Sequence, residues 1–357
     1  MTFNVLGMIG VAATEGAAVH VIGGGIDPDY VVRFTEAHEQ ADFAAVLVGY
    51  TSASADGFQV AQFAASHTDR IRFLVAHRPG FVVPTLAARK AATFDNLTRG
   101  RLMLHIITGG SDFDQRRDGD FVGHDDRYAR TSEYIEILKL AWMSKVPFDY
   151  QGQYYKVERA FSEVRCHQTP HVPIYFGGLS APALEVGAKW ADWYALFGES
   201  RSNISTMMTT INQRASEFDR QPRYQVSFRP IIADTESAAW DKAEALLTEV
   251  KGRSAGAPEA ETAKRLLRLA EAGEIHDERL WTPLAAAAGG SGNTTALVGT
   301  PAQVADAILA YRELGVEGVQ IRGFDPLNDA TEYGRELIPR IREGVGEIPL
   351  AKPVKPT

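Results

Sequence analysis

The segment RGRLMLHIITG, residues 99–109, decides the fold. A turn signal, Arg99 and Gly100, leads into an apolar run of strand length that ends in Thr108 and Gly109. A polar loop then delivers residues 124–128, HDDRY, to the start of a helix. In a barrel of alternating strands and helices, ligands bind where such strands end.

The same alternation continues on both sides of this segment. Apolar runs predict strands at residues 3–8, 44–50, 72–79, 102–108, 173–176, 193–197, 225–233 and 318–322. Amphipathic stretches predict helices at residues 28–39, 84–97, 131–143, 182–189, 203–218, 237–249 and 302–314, and residues 150–154 read as a hairpin turn. This pattern favours an α/β fold, a (β/α)8 TIM barrel, because closure leaves no strand edge exposed.

An insertion interrupts the pattern between the seventh and eighth predicted strands, at about residues 252–295. It contains a charged helical stretch, residues 259–271, and then the segment AAAAGGSGN, residues 285–293, which offers little to pack and has high backbone freedom. We interpret it as a mobile lid at the barrel mouth rather than a passive loop. Residues 1–357 then form one barrel domain.

Composition narrows the classes of function. The chain has 357 residues, 45% hydrophobic and 23% charged, which suits one large enzyme domain. The single cysteine, Cys166, excludes an internal disulfide framework, and no Cys/His spacing predicts a metal site. The net charge of -8 argues against nucleic-acid binding. No apolar stretch approaches the roughly 20 residues of a membrane span, so we expect a cytoplasmic protein.

A glycine turn links the fifth predicted strand to the next helix, with Gly177, Gly178, Leu179 and Ser180 in sequence. Glycines let a phosphate approach the backbone, and a helix N-terminus with a serine hydroxyl donates hydrogen bonds to it. A tight turn with an N-cap serine gives the same pattern. The residues alone leave both interpretations open.

Histidines and arginines near strand ends are further candidates. His77 ends the third strand and is predicted to face the ligand, whereas His105 lies in mid-strand and reads as an interior histidine. Arg78, Arg229 and Arg322 are candidate holders of an anion, and a surface ion pair is the alternative for each.

Several segments together resemble the bacterial luciferase-like flavin monooxygenases, and most of all their alkanesulfonate monooxygenase branch. They are residues 73–79, 84–97, 108–109, 124–128, 174–180 and 296–300, followed by Pro339. The resemblance implies a TIM barrel with an insertion lid. It also implies a monooxygenase that uses O2 and reduced FMN, the latter supplied by a separate NAD(P)H-dependent flavin reductase, and a homodimer or homotetramer.

The resemblance also assigns the site residues. It implies that Thr108 and Gly109 lie against the flavin ring, and that Tyr128 and the turn of Gly177, Gly178, Leu179 and Ser180 hold the phosphate. His77 and Arg229 are the predicted catalytic residues. The predicted substrate-binding residues are Phe197, Ser227, Arg229, Arg322 and Phe324.

The substrate pocket departs from the sulfonate-cleaving relatives. Phe197 replaces their tryptophan, Ser227 and Arg229 replace an Arg and a His, and Phe324 replaces a tyrosine. Because a desolvated sulfonate needs compensating donors, we expect simple alkanesulfonates to be poor substrates. Two alternatives remain: a deazaflavin- or NAD(P)H-dependent oxidoreductase on the same barrel, and a noncatalytic flavin-binding protein.

Overall fold

The computed structural model describes residues 3–14, 16–251 and 260–347. Its strands, in chain order, are β1 (Asn4–Ile9), β2 (Ala45–Val48), β3 (Arg72–His77), β4 (Leu102–Ile106), β5 (Phe148–Gln151), β6 (Lys156–Ala160), β7 (Ile174–Phe176), β8 (Trp193–Phe197), β9 (Arg223–Ile232), β10 (Ile275–His276), β11 (Leu280–Trp281), β12 (Ala296–Gly299) and β13 (Gly318–Ile321).

The helices are α1 (Pro28–Gln40), α2 (Gly57–Ala65), α3 (Pro84–Leu97), α4 (Asp112–Arg117), α5 (His124–Met143), α6 (Ala181–Trp190), α7 (Arg201–Ser216), α8 (Glu236–Lys251), α9 (Glu261–Ala272), α10 (Pro283–Ala287), α11 (Pro301–Glu313), α12 (Pro326–Glu332) and α13 (Ile338–Val345). A π-helical segment, Tyr333–Leu337, joins the last two.

Eight parallel strands close into a barrel. Each pairs with the next in the order β1, β2, β3, β4, β7, β8, β9 and β13, and β13 pairs with β1. These are the eight strands predicted from the sequence, and the predicted TIM barrel is confirmed. Closure brings the carboxyl ends of all eight strands to one face.

The barrel interior and the helix layer are filled by alternate residues of each strand. Leu74 of β3 and Met103 of β4 belong to the inner cluster, where Tyr175 and Trp193 stack with ring centroids 5.2 Å apart. Phe73, on the other face of β3, belongs to the cluster between barrel and helices. Since successive side chains of a strand point to opposite faces, this register decides which strand residues reach the interior.

Local signals place most helices where the sequence predicts them. The Asp27 carboxylate caps α1 by accepting from the Tyr30 amide at 3.0 Å, and α3 spans the predicted residues 84–97. The helix predicted at residues 131–143 instead begins at His124. Its first turn lacks an apolar stripe and is favoured by Asp125 and Asp126 at the positive end of the helix dipole.

The hairpin predicted at residues 150–154 is confirmed by the antiparallel pair β5 and β6. Glu133 of α5 stabilises the hairpin turn. Its carboxylate accepts hydrogen bonds from the amides of Gln153, Tyr154 and Tyr155. This hairpin lies on the surface and takes no part in the barrel.

The insertion between β9 and β13 is built of packed elements. Residues 252–259 of the predicted lid lie outside the described residues. The expectation that residues 285–293 offer little to pack is wrong, because Leu284 and Ala285 are fully buried and α10 packs against α8 and α9. Small side chains permit this close approach: a Cβ on Gly290 would overlap the Ala263 backbone.

The insertion is also joined to the barrel sheet. β12 pairs in parallel with the C-terminal part of β9, from Ala296 opposite Arg229 to Gly299 opposite Ile232. None of the helices in the described ranges combines the length and the hydropathy that crossing a bilayer requires.

Candidate functional site

A cavity of about 650 Å³ opens at the carboxyl ends of the barrel strands. Ten of the predicted site residues line it: Thr108, Gly109, Tyr128, Gly177, Gly178, Leu179, Ser180, Phe197, Ser227 and Arg322. His77, Arg229 and Phe324 are not among the lining residues. The sequence therefore located the cavity but misplaced three of its residues.

The glycine turn between β7 and α6 approaches the cavity closely. Gly178 has φ +120, a conformation that side chains strain to adopt, and a Cβ there would lie 3.0 Å from the Ala183 Cβ and 3.3 Å from the Tyr128 hydroxyl oxygen. The Gly178 carbonyl accepts a hydrogen bond from Tyr194 at 2.6 Å. The turn is therefore fixed in place, and Gly178 lies too close to Ala183 and Tyr128 to carry a side chain.

Ser180 sits at the N-cap of α6 without capping it. No side-chain hydrogen bond caps this helix, and the buried Ser180 hydroxyl has no partner of good geometry among the described residues. It faces the hydroxyl of Tyr128, whose pKa burial raises. The alternative of a plain N-cap serine is therefore wrong. The two neutral hydroxyls lie at the N-terminus of α6, where free main-chain amides and the helix dipole favour an anion.

Thr108 and Gly109 line the cavity but are tied to the neighbouring wall. The Thr108 hydroxyl donates to the Thr131 hydroxyl at 3.2 Å, and its carbonyl accepts from the Gln115 side chain at 2.8 Å. Gly109, at φ +100, has no side chain because Gln115 occupies that space, not because a flat cofactor needs it. The Thr108 oxygen remains able to accept a hydrogen bond from a ligand.

The two histidines exchange the roles predicted for them. His77 points out of the barrel like Phe73 and Val75, is buried against the helices, and its Nε2 lies 2.6 Å from the Tyr134 hydroxyl. Burial lowers its pKa to about 4. The structure does not support the prediction that His77 faces flavin or substrate.

His105 lines the cavity instead. It shares the inward face of β4 with Met103, and burial lowers its pKa to about 4, so the ring is neutral at pH 7. The strand period of two places His105 on the same face as Met103, but the sequence does not show which face of β4 points inward.

Arg229 is a structural residue. It is fully buried, and its guanidinium donates to the carbonyls of Ala18, Val19, Gly292, Asn293 and Gly323. With all its donors directed to the backbone, it cannot serve as the predicted catalytic or anion-holding group. The pairing of β9 with β12 places it behind the cavity wall.

Phe324 lies beneath this arginine rather than in the cavity. The Arg229 guanidinium carbon is 4.5 Å from the centroid of the Phe324 ring, a cation–π contact, and Phe324 belongs to the cluster between α8 and α10. The predicted contact of Phe324 with substrate is therefore not supported.

The cavity wall beside Arg229 is formed by Arg322, Ser227 and Phe197 as predicted. Arg322 Nη2 donates to the carbonyls of Val19, at 3.1 Å, and Gly292. Within the described part of the chain, its Nη1 has only the Met8 sulfur as a partner, at 3.3 Å. A thioether is a weak acceptor, so this nitrogen keeps donor capacity toward the cavity.

Asn293 and His20 complete this wall and were not predicted from the sequence. The Asn293 amide donates to the Ser227 hydroxyl, and His20 Nε2 lies 3.0 Å from the Ser291 hydroxyl. Neither residue follows a barrel strand with a readable motif, so only the fold brings them here.

The N-terminal turn of α9 covers part of the cavity. Glu261, Thr262 and Lys264 line it, and the helix is fastened by Arg265, whose two nitrogens bind the Glu199 carboxylate at 2.7 and 2.9 Å. Glu199 is 2% exposed, so this ion pair is shielded from solvent on one side.

Comparisons with known proteins bear on this arrangement. The model of the luciferase-like monooxygenase family matches residues 1–318. Riboflavin lyase, solved with modified FMN and riboflavin, superposes with a TM-score of 0.79 and 16% identity over 99% of this chain and 94% of that one. EDTA monooxygenase from Chelativorans sp. BNC1 superposes with a TM-score of 0.74 and 16% identity over 99% of this chain and 96% of that one.

Coenzyme F420-dependent tetrahydromethanopterin reductase from Methanopyrus kandleri is also similar, with a TM-score of 0.71 and 18% identity over 95% of this chain and 99% of that one. At these identities the solved structures share a fold with this chain.

Proposed function

The chain belongs to the luciferase-like monooxygenase family, and from that membership we propose that it is an FMN-dependent monooxygenase that oxygenates a small organic substrate with O2. In this proposal reduced FMN is a co-substrate delivered by a separate NAD(P)H-dependent flavin reductase. The protein works as a homodimer or homotetramer in the cytoplasm.

The observation that carries the proposal is the Ser180 hydroxyl, which has no partner of good geometry among the described residues and faces the Tyr128 hydroxyl. It is buried, does not cap α6, and stands with Tyr128 and Gly178 around one point of the cavity. A buried hydroxyl without a partner costs about 1 to 3 kcal/mol, which a phosphate oxygen accepting its proton would recover. The side-chain donors at this end of the cavity, Ser180 and Tyr128, are neutral, so they suit a phosphate held by hydrogen bonds and a helix N-terminus.

When bound, reduced FMN supplies the electrons and the site at which O2 is activated. The residues of this chain then have three tasks. Ser180 and Tyr128 hold the phosphate, the apolar wall of Met8, Leu47 and Phe197 excludes water, and the neutral His105 can donate or accept one hydrogen bond without bringing a charge.

The insertion is proposed to complete the enclosure. α9 contributes Glu261, Thr262 and Lys264 to the cavity wall and is held by the ion pair of Arg265 with Glu199. Opening of this pair releases α9 from the barrel, which is the motion we propose for the lid.

A second candidate, a deazaflavin-dependent oxidoreductase that transfers hydride without oxygen, is favoured by one finding. A coenzyme F420-dependent reductase shares the fold over 95% of this chain. A phosphate grip serves either cofactor, so cofactor use must be measured. NAD(P)H consumed directly, or flavin bound without turnover, would indicate the remaining alternatives.

The test begins with anaerobic titrations of the protein with oxidised FMN, reduced FMN and reduced F420. Calorimetry measures the binding of each cofactor. Labelled O2 is then admitted with reduced FMN and a mixture of carboxylates, sulfonates, sulfones, amines and heterocycles. Incorporation of one labelled oxygen into a product supports the proposal. Failure of both FMN redox states to bind contradicts it, and binding without turnover on any compound favours a noncatalytic flavin protein.

A further inference from the structure

Two arginines lie side by side at the wall formed by β9 and β13, which are two and three strands around the barrel from β7 and its glycine turn. Arg229 and Arg322 both donate to the carbonyls of Val19 and Gly292, so their guanidinium groups are neighbours. Neither forms an ion pair with any carboxylate in residues 3–14, 16–251 and 260–347.

The two charges are unequally compensated. Arg229 has five carbonyls, the Phe324 ring and the electrostatic attraction of the Asp329 carboxylate, although the two form no ion pair. Arg322 has two carbonyls and a thioether, and burial lowers its pKa to about 10, which leaves it charged at pH 7. Two buried like charges repel each other, and a buried charge without a counter-charge is costly.

The neighbouring imidazole of His20 is affected by both positive charges. The pKa of His20 is lowered to about 4 by burial and by the charges of Arg322 and Arg229. His20 is therefore neutral at pH 7 and neither adds to the positive charge nor offsets it. Ser227 and Asn293, the polar lining beside it, are neutral as well.

Arg322 lines the cavity, so an anion in the cavity could supply the counter-charge that the described residues do not. We propose that the substrate carries a carboxylate that binds Arg322, with its apolar body against Met8, Leu47 and Phe197. Because Nη2 of Arg322 already donates to two carbonyls, Nη1 is the nitrogen that receives a carboxylate oxygen. A sulfonate has a third oxygen, which needs one more hydrogen-bond donor than a carboxylate does.

This inference rests on the proposed function only in calling the anion a substrate, because the charge imbalance exists without flavin. Calorimetry with alkanoates of four to ten carbons, each paired with its primary amide and its alkanesulfonate, measures it directly. We expect the best alkanoate to bind at least about tenfold more tightly than its amide, equivalent to about 1.4 kcal/mol. The sulfonate should lie between the two.

Variants then assign the preference to its residue. Arg322→Gln should bind acid and amide equally, Arg322→Lys should retain part of the preference, and Arg335→Gln, which removes an exposed arginine that is 68% accessible, should leave it unchanged. Should Arg322→Gln fail to fold, the comparison of acid with amide on the unaltered protein still decides. Equal binding of every acid and its amide, or a preference that survives Arg322→Gln, overturns the inference.

FMN affinity is measured on the same samples to separate the two proposals. Carboxylate binding without FMN binding leaves this inference standing and contradicts the proposed function. FMN binding without a preference for carboxylates does the reverse.

Discussion

The two ends of the cavity differ in the physical means by which each could hold a ligand. At the glycine turn, Gly178 and Ser180 are close in the chain and present neutral donors at a helix N-terminus. At the arginine wall, Arg229 and Arg322 join segments around residues 18–19, 292–293 and 323, which are far apart in sequence. The first end is local and uncharged, whereas the second is assembled by the fold and charged.

This difference teaches which residues can be exchanged. At the glycine turn, a substitution can remove one hydrogen bond to a ligand while the backbone turn keeps its conformation. A charged wall whose arginines also hold backbone carbonyls combines binding with stability, so a change there affects both.

The largest expected effect is on the arginine wall. Arg229→Met should lower the free energy of unfolding by about 3 to 5 kcal/mol, because three of the five carbonyls that it binds lose this side-chain donor, whereas those of Val19 and Gly292 keep Arg322. Urea unfolding measures it. The exposed Arg335→Met is the matched control and should stay within about 0.5 kcal/mol. Unchanged stability with lost substrate binding would restore Arg229 as an anion holder.

The next effect belongs to the glycine turn. Gly178→Ala should weaken FMN binding by about 100-fold, or about 2.7 kcal/mol, because the added Cβ is crowded by Ala183 and Tyr128 and the residue has φ +120. Flavin fluorescence quenching gives the dissociation constant. Gly119→Ala is the control, since Gly119 has φ +84 and open space around it. Equal losses in both variants would leave backbone strain as the whole explanation.

A third prediction concerns His77, which belongs to neither end. Its folded pKa of about 4 lies below the unfolded value of 6.5, so the unfolded chain binds more protons between these pH values. The stability that neutral His77 contributes is present above pH 6.5 and is lost as the pH falls toward 4. Between pH 7 and 5 the loss is about 2 kcal/mol.

His77→Gln can keep the contact with Tyr134 and should flatten this pH dependence in urea unfolding while both FMN and carboxylate binding stay unchanged. His38 and His105, whose pKa values burial also lowers to about 4, preserve the remainder of the slope. An unaltered slope, or a change in ligand binding, would contradict the outward position of His77.

The smallest effect is the most specific. Ser180→Ala should weaken FMN binding by about tenfold, or about 1.4 kcal/mol, because one hydrogen bond to a charged phosphate is lost. Riboflavin, which lacks the phosphate, should bind the variant and the parent equally. A matching loss for riboflavin would place the flavin phosphate elsewhere.

Strand-level prediction succeeded because its signals are local. Apolar runs and glycine turns located all eight barrel strands, and Pro84 with the helical pattern after it gave α3 its bounds. The sequence pattern did not predict the start of α5 at His124, because Arg127 and Tyr128 are buried by distant partners and do not belong to an apolar stripe. The packing of residues 285–293 escaped for the same reason.

The sequence by itself determined the barrel, the position of its mouth and the glycine turn, because strand length, helix caps and the freedom of Gly178 act within a few residues of the chain. Only the tertiary structure decided that His105 rather than His77 faces the cavity, that Arg229 supports the wall, and that Arg322 stands in it without a counter-charge. Those outcomes depend on strand register and on carbonyls contributed by remote segments, and neither is encoded at the residue concerned.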